Sequence, residues 1–294
     1  MRKLRKEDIK QEVFDLYDAY AHNRIQRRDF MQKLSLYAVG GITVASLMSF
    51  LMPNYEDTFL VDKNNPDLDS EFITYTSSKG GGEIKALLSK PKSASTKLPG
   101  IVVVHENRGL NPYVEDTARR AALAGFITIA PDALSPLGGY PGNDDKGREM
   151  QATRDRNEML EDFIAAFEYL KNNKNCTGKI GVVGFCFGGW VSNMMAVKIA
   201  DLSAAVPFYG GQPTEDIANI NAPLMLQYAG LDERVNAGWP AYEKALKEND
   251  KQYEAFFYPE VNHGFHNTST PRYDEAAAEL AWGRTLDFFK EKLV

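Results

Sequence analysis

The chain has 294 residues, 44% of them hydrophobic and 25% charged, which excludes a disordered chain, a collagen-like fibre and a polytopic membrane protein. Two cysteines are too few for a disulfide scaffold. A formal charge of −6 supplies no basic field for phosphates, so nucleic acid is not expected as a partner.

The charge is unevenly spread. Residues 1–33 carry nine Lys/Arg against six acids, a balance of +3, which leaves −9 for the rest. Lys6 to Ala21 reads as helix. Arg27-Arg28-Asp29-Phe30 then precedes an uncharged run of 19 residues, Leu34 to Met52. As one helix that run would reach about 28 Å, near the thickness of a bilayer core. Paired arginines, a polar residue, Phe and a weakly apolar stretch resemble a twin-arginine export signal. The expectation is a 1–60 extension serving as signal or anchor, with Leu34–Met52 as a membrane contact and a periplasmic or inner-membrane location. The alternative is a cytoplasmic protein whose extension packs as an amphipathic arm on the body or on a partner subunit. A small-residue cleavage motif does not follow the run.

The body, 71–294, alternates strands and helices. Apolar, β-rich runs fall at Phe72–Thr76, Ile84–Leu88, Gly100–Val104, Ile127–Ala130, Ile180–Gly184, Ala204–Phe208, Leu224–Tyr228 and Glu254–Tyr258. The first two read as an antiparallel edge pair. Helical patterns fall at Tyr113–Ala124, Glu149–Asn172, Gly189–Ile199, Trp239–Glu248 and Tyr273–Lys292. Short continuous Val/Ile/Ala runs joined through helices predict a mostly parallel sheet covered on both faces, an α/β fold of three layers. Residues 135–147 read as a loop beyond a strand's C-terminal end, where such sheets place their sites.

Gly184-Phe185-Cys186-Phe187-Gly188-Gly189 sits between a strand and a helix. This is the context of a nucleophile elbow, with Cys in place of the usual Ser. The turn is tight, so the positions two before and two after the nucleophile must lack bulk, and Gly184 and Gly188 do. The N-terminus of the following helix favours a thiolate. A nucleophilic thiol needs a base, and the base an orienting acid. Asp232 follows the Leu224–Tyr228 run, with Glu233 as the alternative acid, and His263 follows Glu254–Tyr258, in the chain order that this fold uses. Of the four histidines, His22 lies in the head and His105 at a strand end. His263 and His266 therefore compete for the base, and Gly264 favours His263. Glu106 follows Gly100–Val104, close to where the sulfur should stand. The backbone N–H groups of Phe187 and Asn107 would form the oxyanion hole.

Together the Gly-x-Cys-x-Gly-Gly elbow, His105-Glu106-Asn107-x-Gly109, Pro131-Asp132, Asp232 and His263-Gly264-Phe265 resemble the dienelactone hydrolase family of α/β-hydrolases, over roughly Glu71 to Val294. The resemblance implies a Cys186–Asp232–His263 triad, with Glu106 holding the thiol inactive until substrate arrives. It implies no cofactor and no metal. It implies cyclic enol lactones bearing a carboxylate, which two arginines clamp. Near the histidine this chain offers His266 and Asn267, with Arg272 further on. On the helix after the loop it offers Arg148, Arg154 and Arg156, which the sequence does not separate. Arg154, His266 and Tyr140 are taken as substrate-binding candidates.

The chemistry expected is attack of the thiolate on an ester carbonyl, departure of the alcohol or enolate, and hydrolysis of the thioester by water that His263 activates. Aryl or enol esters suit a sulfur nucleophile, and amides do not. A non-catalytic carbonyl-binding module and a thiol-dependent acyl transferase are the alternatives. The His263/His266 spacing lacks a patterned Cys or carboxylate partner for zinc. Gly142–Gly147 does not lead into the Lys-Ser/Thr of a phosphate loop. Cys176, ten residues before Cys186 and in a predicted loop at Asn173–Gly178, is too far away along an extended strand for a disulfide.

Overall fold

The computed structural model describes residues 4–56 and 58–294. Arg2 and Lys3, part of the basic count of the head, lie outside them. In chain order the head forms α1 (Gln11–Ala21), α2 (Arg27–Leu34) and α3 (Val44–Leu51). The body forms β1 (Leu68–Ser77), β2 (Gly82–Pro91), β3 (Leu98–Val104), α4 (Pro112–Leu123), β4 (Ile127–Pro131), α5 (Asp144–Gln151), α6 (Arg156–Lys171), β5 (Cys176–Phe185), α7 (Phe187–Lys198), β6 (Ala204–Phe208), β7 (Leu224–Ala229), α8 (Glu233–Asn236), α9 (Trp239–Glu248), β8 (Tyr253–Tyr258) and α10 (Glu275–Leu293).

The eight strands make one sheet in the order β1-β2-β4-β3-β5-β6-β7-β8. β1 runs antiparallel to β2 and β2 antiparallel to β4, and the remaining neighbours are parallel. The central strands bury both faces, which is why they read as unbroken apolar runs. On one face the core is built from α6, α7 and α9, with Phe163, Phe167, Met195 and Leu246. On the other it is built from α4 and α10, with Val114, Ala118, Trp282 and Phe289. The sheet is thus covered on both sides, the three-layer α/β-hydrolase fold.

Three predicted boundaries move. The Glu149–Asn172 pattern is two helices, because Asp155 accepts bonds from the N–H groups of Asn157 and Glu158 (2.8 and 3.0 Å) and caps a new helix. The loop 135–147 ends in α5, whose start is capped by Asn143. Cys176 lies in β5 rather than in a loop, since Leu98 of β3 pairs with it. Cys176 and Cys186 are both free thiols.

The head packs on the body. Its own small core gathers Val13, Phe14, Tyr17, Tyr20, Phe30, Leu34, Leu47 and Leu51. The Tyr20 and Phe30 rings stack at 4.5 Å. Leu34–Met52 is not one helix: a 3-10 turn at Ser35–Tyr37 follows α2, and Gly40 and Gly41 adopt φ of +62° and +87° before Thr43 caps α3. Among the described residues no helix is long and apolar enough to cross a membrane.

Candidate active site

Cys186 stands between β5 and α7 with φ 57° and ψ −109°, a region that L-residues rarely adopt. Close packing explains the glycine frame. A Cβ on Gly184 would come within 2.0 Å of the Gly188 carbonyl oxygen, and one on Gly188 within 2.4 Å of that of Val104. The turn is pinned further by the Cys186 N–H, which donates to the Phe208 carbonyl at 3.1 Å.

Asp232, beyond β7, and His263, beyond β8, reach the same edge of the sheet. The Nδ1 of His263 is 2.5 Å from Asp232 Oδ2, and its buried Nε2 has no hydrogen-bond partner among the described residues. Cys186 Sγ and one ring nitrogen each of His263 and His22 lie within 4.8 Å of one another. The N–H groups of Phe187 and Asn107 make no hydrogen bond among the described residues.

His22 was set aside in the sequence because it lies in the head. The structure brings it to the sulfur: its Nε2 is 3.2 Å from Cys186 Sγ. Its Nδ1 is 2.8 Å from the Asp18 carbonyl oxygen and 3.1 Å from Asp18 Oδ1. The only sequence signal was the i,i+4 spacing of Asp18 and His22, which puts both on one helix face. Arg234 was also missed. Its Nη2 lies 3.3 Å from His22 Nε2 and 3.2 Å from His263 Nδ1, and its Nε lies 3.3 Å from Asp18 Oδ2.

Electrostatics follow from this crowding. Burial alone would raise the Cys186 thiol, but the two imidazoles overcome it and hold the thiol well below its usual value. Burial opposes the charge on His263, yet Asp232 and the sulfur push it up to about 10. His22 is raised against its burial by Cys186 and Asp18. Glu106 is raised by burial and then by the nearby sulfur.

Glu106 is buried and accepts a bond from Asn267 Nδ2 at 2.8 Å, so the carboxylate is engaged there while His22 meets the sulfur. Arg154 lines the cavity, but its Nη1 is held by Asp162 Oδ2 (2.7 Å) and the Ala133 carbonyl (2.5 Å), because a fully buried Asp162 requires a partner. His266 does not face the cavity. It is fully buried, 2.7 Å from the Tyr113 hydroxyl and stacked on Phe185, and burial keeps it neutral. Tyr140 donates to Asp144 Oδ1 at 2.6 Å and is not among the cavity-lining residues. Arg148 docks the arm through Asn23 and the Tyr20 hydroxyl. Arg156 lies over the Trp190 ring at 3.6 Å and has no ion pair among the described residues.

Cys186, His22, His263, Arg148, Arg156 and Arg234 line a cavity of about 480 Å³. A larger one, about 760 Å³, lies between β1 and α6, and its lining holds no thiol or imidazole. His263 and His266, the pair whose spacing was set against zinc, do not share the cavity: His266 turns to the Tyr113 hydroxyl.

Comparison with known proteins agrees with this architecture. The model of the dienelactone hydrolase family matches residues 84–293, and a model described as YqhI-like matches residues 1–40. A provisionally named hydrolase fragment, YghX of Escherichia coli K12, is 56% identical over 110 residues, 37% of this chain and 94% of its own. A provisionally named carboxymethylenebutenolidase of Saccharolobus solfataricus is 28% identical over 249 residues, 71% of this chain and 95% of its own. The fold is shared with a crystallised dienelactone hydrolase-like promiscuous phosphotriesterase from metagenomic libraries. Its TM-score is 0.67 at 23% identity, and the match covers 78% of this chain and all of that one. With the family model spanning most of its length, the chain belongs to the dienelactone hydrolase family.

Proposed function

We propose that the protein hydrolyses activated carboxylic esters or enol lactones through a Cys186 thioester, with His263 as base and Asp232 as its orienting acid. The observation that carries this reading is the meeting of a thiol on a strained elbow, a histidine anchored at 2.5 Å to a carboxylate, and two unengaged N–H groups. The thiolate attacks the carbonyl carbon. The Phe187 and Asn107 N–H groups bind the developing oxyanion, worth roughly 3–4 kcal/mol per donor. The leaving group departs, and water takes the thioester apart. A stabilised enolate or an electron-poor aryloxide competes with the sulfur as leaving group, whereas an amine does not, so amides are poor substrates.

The substrate carries a carboxylate, and Arg156 is the residue best free to meet it. Its guanidinium faces the cavity over Trp190, without a competing acid among the described residues. The arm stays docked on the body rather than acting as a leader: Arg27 Nη1 pairs with Asp145 at 2.8 Å, and Asn107 Nδ2 donates to the Ala21 carbonyl at 2.6 Å.

Pre-steady-state hydrolysis of p-nitrophenyl acetate tests the core of this reading. Wild type gives a burst and then turnover, and iodoacetamide abolishes both. Cys186→Ala lowers turnover by at least about 10³-fold, as loss of a nucleophile does. Full activity in Cys186→Ala would overturn the assignment.

A further inference from the structure

The sulfur of Cys186 stands beside two imidazoles: His263 is bonded to the Asp232 carboxylate, and His22 to the Asp18 backbone carbonyl with the Asp18 carboxylate 3.1 Å away. His263 and Asp232 belong to the sheet edge. His22 and Asp18 belong to α1 and the residue after it, and arrive from the opposite end of the chain. The two rings meet edge-on, with centroids 4.8 Å apart and planes at 88°. His22 is placed as deliberately as a body residue. The carbonyl before it, of Ala21, accepts from Asn107, and the side chain after it, of Asn23, accepts from Arg148. A thiol releases one proton, so one imidazole is enough to receive it.

We propose that His22 is a second catalytic acid–base residue, supplied by the N-terminal arm, which takes the thiol proton and returns it to the leaving group while His263 serves the hydrolytic water. The proposal rests on the thioester reading above. It divides between two rings the work that a single histidine otherwise does in turn.

The steps balance. The Cys186 proton passes to His22 Nε2, and the thiolate so formed bonds to the ester carbon as the carbonyl electron pair moves to oxygen. That pair returns, the bond to the alcohol oxygen breaks, and the alkoxide takes the proton from His22. Water then bonds to the thioester carbon as its proton passes to His263 Nε2. Collapse breaks the carbon–sulfur bond, and the thiolate regains a proton from His263. One ester and one water become one acid and one alcohol.

The groups around His22 suit a relay. Asp18 and the thiolate favour the imidazolium, while Arg234 Nη2 at 3.3 Å opposes it. Asp18 is shared with Arg234, Arg24 and Arg272, at 3.3, 3.7 and 3.9 Å, which fixes its position against the ring.

The test uses full-length His22→Gln, His22→Ala and Asp18→Asn beside Cys186→Ala. Two substrates share an acyl group, one leaving as p-nitrophenolate and one as a basic alkoxide. A general acid matters more for the poorer leaving group. His22→Gln should therefore lose about 10-fold on the aryl ester and about 10²–10³-fold on the alkyl ester. The pH profile of iodoacetamide alkylation of Cys186 should move to higher pH in the same variant. Added imidazole should restore alkyl-ester hydrolysis to His22→Ala, which keeps the proposal testable if Gln disturbs the arm. Equal losses on both esters with an unmoved alkylation profile would make the ring structural and overturn the proposal. A gain in activity would overturn it too, because His22 would then be a plug. If instead Cys186→Ala keeps its turnover, the thioester reading itself has failed, whatever the His22 variants do.

Discussion

Holding Cys186 at a positive φ costs an L-residue about 1–3 kcal/mol, and the elbow around it leaves no room for a Cβ: Gly184 faces Gly188 and the Ser192 hydroxyl, and Gly188 faces Val104. Such a site is legible in sequence because the demand falls on neighbours at fixed offsets. Asp232 and His263 were legible for a related reason: each follows a strand, and parallel strands end on one edge. Arg154 lines the cavity while His266 and Tyr140 do not, and the partners all three take, Asp162, Tyr113 and Asp144, are chosen by burial across the fold, which the sequence does not announce. His22 was hidden by separation along the chain, 164 residues from the sulfur. Arg156 is open to a direct check. Arg156→Gln should raise KM about 10-fold for esters whose acyl part carries a carboxylate, with little change for neutral esters of the same size, as loss of one charge-assisted contact would. Steady-state kinetics on a matched pair of substrates decides it, and an equal change on both refutes the assigned role.

Among the elements, the strands were found by their apolar runs and extended at the ends by pairing, which no single strand announces. The α5–α6 break was missed because Asp155 reads as one more charged residue in a polar helix face until its cap is seen. The arm is the element whose behaviour is least local. Its three short helices gain little from propensity, and helices of this length are marginal alone, so packing holds them. Phe30 is fully buried at the centre, between Tyr17 and Tyr20. Phe30→Ala should cost about 3–5 kcal/mol of arm docking. Limited proteolysis should then cut within residues 4–56 at least 10-fold faster, while the melting of the body stays within a few degrees. Unchanged proteolysis would show that the arm does not depend on this core.

Across the whole molecule, a basic head lies on an acidic body, and charge complementarity matches the docking seen at Arg27 and Asp145. The same arginines suggested an export signal when read in line. Folded, Arg27 is paired, and the apolar run after it is divided by Gly40-Gly41. A reporter fused to residues 1–60 separates the two readings. It should stay in the cytoplasm of normal cells, and twin-arginine-dependent export of the reporter would sink the docked-arm reading.

One wall of the reaction chamber is therefore not part of the barrel-less hydrolase core but a strap laid over it, and the room left is about 480 Å³. If the proposed ester chemistry takes place there, a space of that size favours a monocyclic lactone or a short acyl ester over a triglyceride. Such a choice by bulk would rest on a helix that lies ahead of the first strand.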